Sequence, residues 1–487
     1  MSKKTQSYTN RKHRKYIPER MPGNVAVKNK GGWLPGANGR AAKVEALLRG
    51  RKEETKEIAG NMAGYKDSGV EEVNFIPKDW NTLRMKDAFN ISKEIIGDKW
   101  TEAALLSLTT NGVKSITADE QVGKRPKTFA TYQRVTKNDI VMCLFDLDAS
   151  AVFSGLSGYD GMISPAYKIL KTKEQVLPEF ANYYFQYIFE GRKYKKYAKS
   201  IRYTLSGEEF LRLLIVLPPL HEQQRIADFL DTKCGILDRT IDAVSRQIED
   251  LEKYKKALIT KTVTKGICKK GEPERAMKDS GVEWIGEVPE EWSVSKVKYN
   301  FSTFKKIPGK ESEKYERLSL TMNGVKHREK WTAEGLQPKD FMSYQLLRKG
   351  DLVFRLIDLQ NPSKSRRVAL SHDTGLISPA YTILHADNNK MLPEYAEMFF
   401  LMMSYLDVFN ALGSCGVRSS INNAELMKIS VLVPPFAEQQ QIADYLDEKC
   451  KNIDNRVQKR RQQLEWLKEY KKSLIFDYVT GKKRVEK

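Results

Sequence analysis

The sequence predicts an α+β fold built twice, in which a mixed α/β domain is followed by one long helix and the arrangement is then repeated. Three observations predict it: a tandem repeat, apolar runs of strand length beside helical segments, and two long heptad-patterned segments. Residues 106–114 (LSLTTNGVK) return at 318–326 with one change, and residues 217–224 (LPPLHEQQ) return at 433–440 as VPPFAEQQ. The spacing is 212 residues at the first motif and 216 at the second, far too long for a solenoid.

Strands are predicted at equivalent places in the two globular parts. Residues 139–145 and 351–357 are dense apolar runs of strand length. Residues 213–217 and 429–433 form a second matched pair of runs, each ended by a Pro-Pro pair.

Helices in the globular parts are indicated by their first turns. Pro178 and Pro393 each open an apolar-periodic segment, and proline is tolerated at the first helical position. Residues 206–209 (SGEE) and 422–425 (NNAE) have the spacing of capping boxes at the start of short helices. Each globular part is therefore predicted to be mixed α/β.

Two long helices are predicted from about residue 222 to 264 and from about 438 to 480, where Gly235 is the one helix breaker. Their apolar residues recur every three or four positions, as in a coiled-coil seam. The predicted seam consists of Leu230, Leu237, Ile241, Val244, Ile248, Leu251 and Leu258 in the first helix and of Leu446, Ile453, Val457, Leu464, Leu467 and Leu474 in the second.

The two helices are expected to pack on each other in antiparallel orientation, because a whole globular part connects them. Cys234 and Cys450 lie near the starts of their helices and would then be far apart, as small seam residues. The parallel alternative would bring the two thiols within crosslinking reach. Arg460 interrupts the seam of the second helix once.

These patterns divide the chain into six segments. Residues 1–64 lie outside the repeat, are strongly basic and are predicted to be a flexible extension, with extra phosphate contact or partner docking as the functional alternative. The remaining segments are a first globular domain at 65–220, a central helix at 221–266, a linker at 267–276, a second globular domain at 277–435 and a C-terminal helix at 436–482.

The composition indicates a polyanionic partner. The formal net charge is +21 and the sequence pI is about 9.4, which favours nucleic acid over a membrane surface. No apolar run approaches the roughly 18 residues of a membrane span. Five cysteines without CxxC spacing are typical of reduced thiols and a cytoplasmic location.

Enzymatic motifs are not found in the sequence. The Pro-Pro pairs lack the preceding Asn or Asp of an adenine methyltransferase, and there is no phosphate-binding G-x-x-x-x-G-K-[ST] motif. Asp146-x-Asp148 suggests a nuclease metal site, but its counterpart is Asp358-x-Gln360, and five scattered histidines offer no metal site. A scaffold with non-specific DNA binding and an RNA-binding protein remain as alternatives.

The repeated motifs resemble those of the specificity subunits of type I restriction–modification systems. The resemblance covers about residues 65–482, and the family's chains usually begin near Tyr65. The first copy has Glu72 where the second has Trp284, so the motif at 278–284 is complete in one copy. The motifs that carry the resemblance are K-D-S-G-V-E-W at 278–284, G-D-L-V at 350–353, G-x-I-S-P-A-Y at 161–167 and 375–381, and P-P-x-x-E-Q-Q-x-I-A-x-x-L-D at 218–231 and 434–447.

The resemblance implies a non-catalytic subunit with two target-recognition domains and two spacer helices. Its implied partners are double-stranded DNA, two modification subunits and motor-nuclease restriction subunits. S-adenosylmethionine, ATP and Mg²⁺ are expected on those partner subunits, which methylate adenine or cleave DNA. An antiparallel helix pair inverts the two domains, so each would meet a half-site of opposite polarity, with centres roughly 10 bp apart.

Base contacts are expected on basic and aromatic residues that differ between the two domains, since arginine holds guanine through two hydrogen bonds and lysine mostly contacts phosphates. A solvated surface charge is the alternative for each of them. The candidates are Lys124, Arg125, Lys127, Arg192, Lys193, Arg202 and Tyr203 in the first domain and Arg355, Lys364, Arg366, Arg367 and Arg418 in the second.

Overall fold

The structure is a computed structural model that describes residues 64–486, except for 111, 118, 121–125, 151, 191, 199–202, 268–270, 272–274, 331–339, 361–365 and 414–418. The chain divides into two compact units, Met1–Asp67 and Ser68–Lys487. In the first unit the described residues are 64–67, with strand β1 at Tyr65–Asp67. Residues 1–63 of the predicted extension lie outside the described residues, so its flexibility stays a prediction. All other elements belong to the second unit.

The first half of the second unit contains eleven described strands, three described helices and a long fourth helix. The strands are β2 (Phe75–Pro77), β3 (Asn81–Arg84), β4 (Phe89–Ser92), β5 (Leu106–Thr109), β6 (Gly112–Ser115), β7 (Gln133–Val135), β8 (Ile140–Met142), β9 (Ser154–Leu156), β10 (Gly161–Ile163), β11 (Lys168–Thr172) and β12 (Leu214–Leu217). The helices are α1 (Met85–Ala88), α2 (Pro178–Glu190), α3 (Gly207–Arg212) and the long α4 (Leu220–Lys265). The main sheet is antiparallel in the order β4-β11-β8-β9, and β5–β6, β7–β10 and β3–β12 form antiparallel pairs.

The second half repeats this arrangement. Its strands are β13 (Met277–Asp279), β14 (Glu287–Pro289), β15 (Ser293–Lys296), β16 (Phe301–Ser302), β17 (Arg317–Thr321), β18 (Gly324–Arg328), β19 (Gln345–Leu347), β20 (Leu352–Phe354), β21 (Val368–Leu370), β22 (Gly375–Ile377), β23 (Thr382–Ala386) and β24 (Ser430–Val433). Its helices are α5 (Val297–Asn300), α6 (Pro393–Tyr405), α7 (Val408–Leu412), α8 (Asn423–Lys428) and the long α9 (Phe436–Val479). The sheet β16-β23-β20-β21 matches the main sheet of the first half, while β18-β17-β22-β19 is mixed, because β17 and β22 run parallel.

The predicted fold class is confirmed, and the element boundaries show where the sequence patterns were too long. Both capping boxes are present, with Glu209 and Glu425 reaching back to the backbone of Ser206 and Asn422. The apolar run at 139–145 forms a strand only over Ile140–Met142, because the chain then turns at Asp146, whose φ is 49°. The apolar run is therefore longer than the strand, because apolar residues here are those that are buried, whether or not they belong to the sheet.

Each globular half has its own apolar core around a fully buried tryptophan. The core of Trp80 includes Leu230 from the start of α4 and Leu474 from the end of α9. The core of Trp292 includes Ile259 from the end of α4 and Leu446 from the start of α9. Since each core receives opposite ends of the two long helices, the helices run antiparallel.

Candidate functional site

The predicted helix seam is present as an apolar cluster between α4 and α9. Val244, Ile248, Ile453, Val457 and Leu467 are buried in its centre, and Leu237, Ile241, Leu251, Leu258 and Leu464 pack against them. The outermost members Leu230, Leu446 and Leu474 belong to the domain cores instead. The seam therefore joins the two domains through one continuous apolar contact.

The two seam cysteines are separated, as antiparallel packing predicts. Cys234 lies in the first domain's core and Cys450 in the second, and both are free thiols. Burial raises the pKa of each thiol to about 11, so both are protonated at neutral pH. They are packing residues rather than reactive groups.

Two ion pairs along the seam show that the helices are related by a two-fold axis. Lys255 donates to Asp454 at 2.6 and 2.7 Å, and Lys471 donates to Asp238 at 2.6 and 2.8 Å. Asp454 follows Asp238 by 216 residues, and Lys471 follows Lys255 by the same 216 residues. The two pairs are thus copies of one interaction, exchanged by a two-fold axis through the middle of the coil.

The glutamate of the P-P-x-x-E-Q-Q motif, near the start of each long helix, binds an arginine that follows the end of the other long helix. In the first copy, the buried Glu222 accepts from Trp80 Nε1 at 3.1 Å and from Arg484, which follows α9 in the chain. In the second copy, Glu438 accepts from Trp292 Nε1 at 2.9 Å and from Arg275, which follows α4. Arg275, in the segment that the sequence predicts to be a linker, therefore makes a structural contact.

The first glutamine of the motif holds the turn before the domain's main helix. Gln223 Oε1 accepts from the Leu177 backbone, and its Nε2 donates to the carbonyls of Gln175 and Pro218. Gln439 makes the same three bonds, to Leu392, Lys390 and Pro434. Each domain is thus oriented on its long helix by the same set of hydrogen bonds.

At the other end of the first domain's main helix, a polar loop follows strand β8. We define the β8 loop as residues 145–150. Arg192, just beyond α2, donates to the Leu147 carbonyl at 3.0 Å and the Ser150 carbonyl at 2.7 Å. The Leu147 amide donates to the Tyr203 carbonyl at 3.2 Å, and the Leu205 amide donates to the Leu144 carbonyl at 2.8 Å. The loop backbone is therefore tied on two sides.

An equivalent loop follows strand β20 in the second domain. We define the β20 loop as residues 357–360. Its backbone is held by Arg367, which donates to the carbonyls of Ile357, Asp358 and Leu359. The Leu359 amide donates to the Ser419 carbonyl at 3.0 Å, and the Ile421 amide to the Leu356 carbonyl at 3.0 Å. The backbones of the two loops are held by equivalent hydrogen bonds, although the arginine that donates them comes from a different part of each domain.

The surroundings of the β8 loop are cationic and aromatic. Lys195 lies 4.0 Å from the centroid of the Tyr203 ring and 3.9 Å from Asp148 Oδ2, with about two fifths of the lysine side chain exposed. Lys193 lies 4.5 Å from the centroid of the Tyr187 ring. The half-exposed ion pair between Lys195 and Asp148 contributes little to stability.

Comparisons with known proteins identify the family. Residues 77–253 match the family model described as type I restriction modification DNA specificity domain. The type I restriction enzyme MjaVIII specificity subunit of Methanocaldococcus jannaschii is 25% identical over 87% of this chain and 98% of its own length. The chain belongs to the specificity subunits of type I restriction–modification systems.

A solved structure shares the fold of this specificity subunit. One chain from a study of complex assembly and conformational transition in the type I R-M system aligns with a TM-score of 0.57 at 12% identity, covering 83% of this chain and 98% of its own. The HsdS subunit from Thermoanaerobacter tengcongensis aligns with a TM-score of 0.41 at 14% identity, with the same coverage. The predicted role of a non-catalytic DNA specificity subunit within a type I complex is confirmed by the family assignment.

Among the described residues of this chain, no group of three or more His, Cys, Asp or Glu side chains is arranged to hold a metal ion. None of the helices that the structure describes is both long and apolar enough to cross a membrane.

Three of the arginines that are candidates for base contacts are buried or half-buried. Arg367 and Arg355 are buried, and burial together with the neighbouring Arg355 charge lowers the pKa of Arg367. Arg192 is half-buried and holds the β8 loop. The guanidinium groups of Arg192 and Arg367 hold the backbones of the two loops through hydrogen bonds to loop carbonyls.

The other described candidates lie nearer the surface. Lys127 is exposed, Lys193 and Tyr203 are half-buried beside the β8 loop, and Arg366 Nη1 lies 3.4 Å from Glu397 Oε1. Burial raises the pKa of Glu397. The remaining candidates lie outside the described residues: Lys124, Arg125, Arg202, Lys364 and Arg418.

Sequence reasoning missed the clamp between Glu222 and Arg484, and its second copy between Glu438 and Arg275. The signal was available in part, because the glutamate stands in a motif that occurs twice. Its partners lie 262 and 163 residues away along the chain, a separation that a motif does not reveal.

Proposed function

We propose that this specificity subunit reads a bipartite target in double-stranded DNA, with one half-site for each globular domain and an unspecific gap between them. The target-recognition domains are residues 65–220 and 277–435, and the helices at 221–266 and 436–482 are the spacer. The linker at 267–276 joins the halves, and residues 1–64 are a basic extension. The observation that carries the proposal is the pair of exchanged ion pairs, Lys255–Asp454 and Lys471–Asp238.

The physical argument is one of symmetry. Duplex DNA has two-fold axes perpendicular to its own axis, so a protein with a matching axis meets two half-sites of opposite polarity. Domains on one face of the duplex would take half-site centres about 10 bp apart. The net charge of +21 supplies the sequence-independent attraction to phosphates on which base readout is superimposed.

The chain carries out recognition, and its partners carry out the chemistry. Two modification subunits would bind it and transfer methyl groups from S-adenosylmethionine to adenine, one for each half-site. Motor-nuclease subunits would join them and use ATP and Mg²⁺ to cleave unmodified DNA. The whole complex would act in the cytoplasm.

Genome-wide methylation mapping tests this function. A host without such systems would express the chain with its modification subunit, the modification subunit alone, or this chain alone. We expect a bipartite adenine motif only when both are present, and that motif gives the target and the gap together. A complex that forms but leaves no motif would contradict the proposal and favour a scaffold with non-specific DNA binding.

A binding competition separates the two functions in vitro. The purified complex would be bound to a duplex carrying the mapped motif in the presence of excess random duplex at increasing salt. Sequence-specific binding to the motif duplex should persist in the presence of the random duplex. Binding that depends only on net charge should shift to the random duplex.

A further inference from the structure

The β8 and β20 loops have the same unusual backbone in both domains. Asp146 and Asp358 occupy equivalent positions and have φ values of 49° and 54°, in the left-handed region that residues other than glycine seldom adopt. Each is followed two positions later by an exposed polar side chain, Asp148 in the first loop and Gln360 in the second. A conformation retained in both copies by aspartate, without glycine, indicates that the turn itself is required.

The two loops are preorganised. Arg192 and Arg367 occupy the loop carbonyls, and the segments around Tyr203 and Ser419 bind the loop backbone from the other side. A recognition side chain needs such support, because a contact that is loose by about an ångström loses its discrimination. The buried hydrogen bonds therefore fix the positions from which residues 148 and 360 project.

The framework is shared, but the exposed groups are different. Asp148 presents a carboxylate, which only accepts hydrogen bonds, and about two fifths of its side chain is exposed. Gln360 presents an amide, which both donates and accepts. Ile357 in the same loop is also exposed, at 46%. Two domains that read different bases from the same loop would differ in this way.

We infer that Asp148 and Gln360 read base edges in the major groove, one in each half-site. Asp148 accepts a hydrogen bond from the amino group of a cytosine, and Gln360 binds an adenine through both its amide atoms. Ile357 adds an apolar contact that suits a thymine methyl group. Lys193 and Lys195 beside the first loop contact phosphates and set its register. The inference rests on the proposed function and adds one specificity-determining residue to each domain.

The test is methylation mapping with the complex of full-length chain and modification subunit, using two nearly isosteric variants. Asp148→Asn removes one negative charge, and Gln360→Glu adds one. We expect Asp148→Asn to reduce discrimination about tenfold at one base pair of the first domain's half-site only. Gln360→Glu should do the same at one base pair of the second half-site, leaving the gap and the other half unchanged.

Matched controls lie in the equivalent turns before α2 and α6. Glu174→Gln and Asn388→Asp make the same changes in charge at exposed residues. Glu174 precedes the 13-residue helix α2, whereas Arg192 and the β8 loop lie beyond its other end, roughly 20 Å away. Both controls should keep the wild-type motif.

Several results would overturn the inference while the proposed function stands. These are an unchanged motif in both variants, an equal change in the controls, or a change in both half-sites from one substitution. Complete loss of methylation by a variant that still co-purifies with the modification subunit also counts against the inference. The loss of one base contact should reduce discrimination at one base pair but should not abolish methylation of the target. If the wild-type complex itself gives no bipartite motif, the proposed function has failed instead.

Discussion

Glu222 illustrates how one buried charge determines where three parts of the chain meet. Its carboxylate is 2% exposed and accepts from Trp80 and Arg484, while Arg484 also pairs with Asp79. A buried carboxylate needs several donors to offset its lost hydration, so the fold must bring them together. The pKa of Arg484 is raised by these two carboxylates, and the guanidinium stays charged.

Loss of Arg484 should therefore destabilise the chain. We expect Arg484→Ala to lower the free energy of unfolding by about 1 to 3 kcal/mol, since Glu222 then stays buried with fewer donors, while the half-exposed arginine limits the effect. Urea denaturation followed by tryptophan fluorescence would measure it. Arg212→Ala, at an exposed arginine in the last turn of α3, is the control and should change little. Equal stability of the two variants would show that the clamp contributes nothing.

At the same scale, the sequence could identify the arginines near the β8 and β20 loops as candidates for function. It could not predict the direction in which each guanidinium group points. Arg192 and Arg367 were selected for their charge, and the structure turns both towards backbone carbonyls. Charge is a property of a residue, whereas orientation depends on neighbours brought in by folding. Asp148 was considered only as a metal ligand, and its role in the loop becomes visible only from the backbone angles of Asp146 and Asp358.

At the scale of elements, local signals predicted the helices well. The capping boxes at Ser206 and Asn422 and the proline starts at 178 and 393 depend on neighbouring residues, and all of them form. The mixed sheet of the second domain could not be predicted, because the parallel contact between β17 and β22 joins residues about sixty positions apart. Interactions between residues close in sequence determine the helices, and contacts between residues far apart in sequence determine how the strands are arranged.

The seam of α9 offers a prediction about an element. Arg460 stands at a seam position between the clustered Val457 and Leu464, and it is exposed and donates to Gln463 at 2.7 Å. Its equivalent in α4 is the buried Val244. We expect Arg460→Leu to stabilise the chain by about 1 kcal/mol, because it extends the apolar seam.

The gain should depend on the seam position. Arg456→Leu places the same side chain at an exposed position of the same helix and should give no increase in melting temperature. If both variants stabilise the chain equally, general hydrophobicity is responsible. If Arg460→Leu destabilises it, the arginine satisfies a requirement of the coil.

At the scale of the whole molecule, each globular domain is completed by one end of each of the two long helices. The start of α4 and the end of α9 complete the first domain, and the end of α4 and the start of α9 complete the second. The domains are therefore separated by the length of the coil between their cores. Along α4, 29 residues separate Leu230 in the first core from Ile259 in the second, a distance of roughly 44 Å or about 13 bp of duplex. A rigid spacer of this kind sets a distance that the DNA must match.

Lengthening the coil should lengthen the gap in the DNA target. Insertion of one heptad into both helices, at Gln247 and at the equivalent Gln463 near the two-fold axis, keeps the seam in register and adds about 10.5 Å. At 3.4 Å per base pair the gap should grow by about 3 bp, with both half-sites unchanged, and methylation mapping would measure it. A heptad in α4 alone is the control and should abolish methylation, because the two ends of the coil can no longer meet both domains in register. An unchanged gap in the doubly extended chain would mean that the partner subunits, rather than this coil, fix the distance between the half-sites.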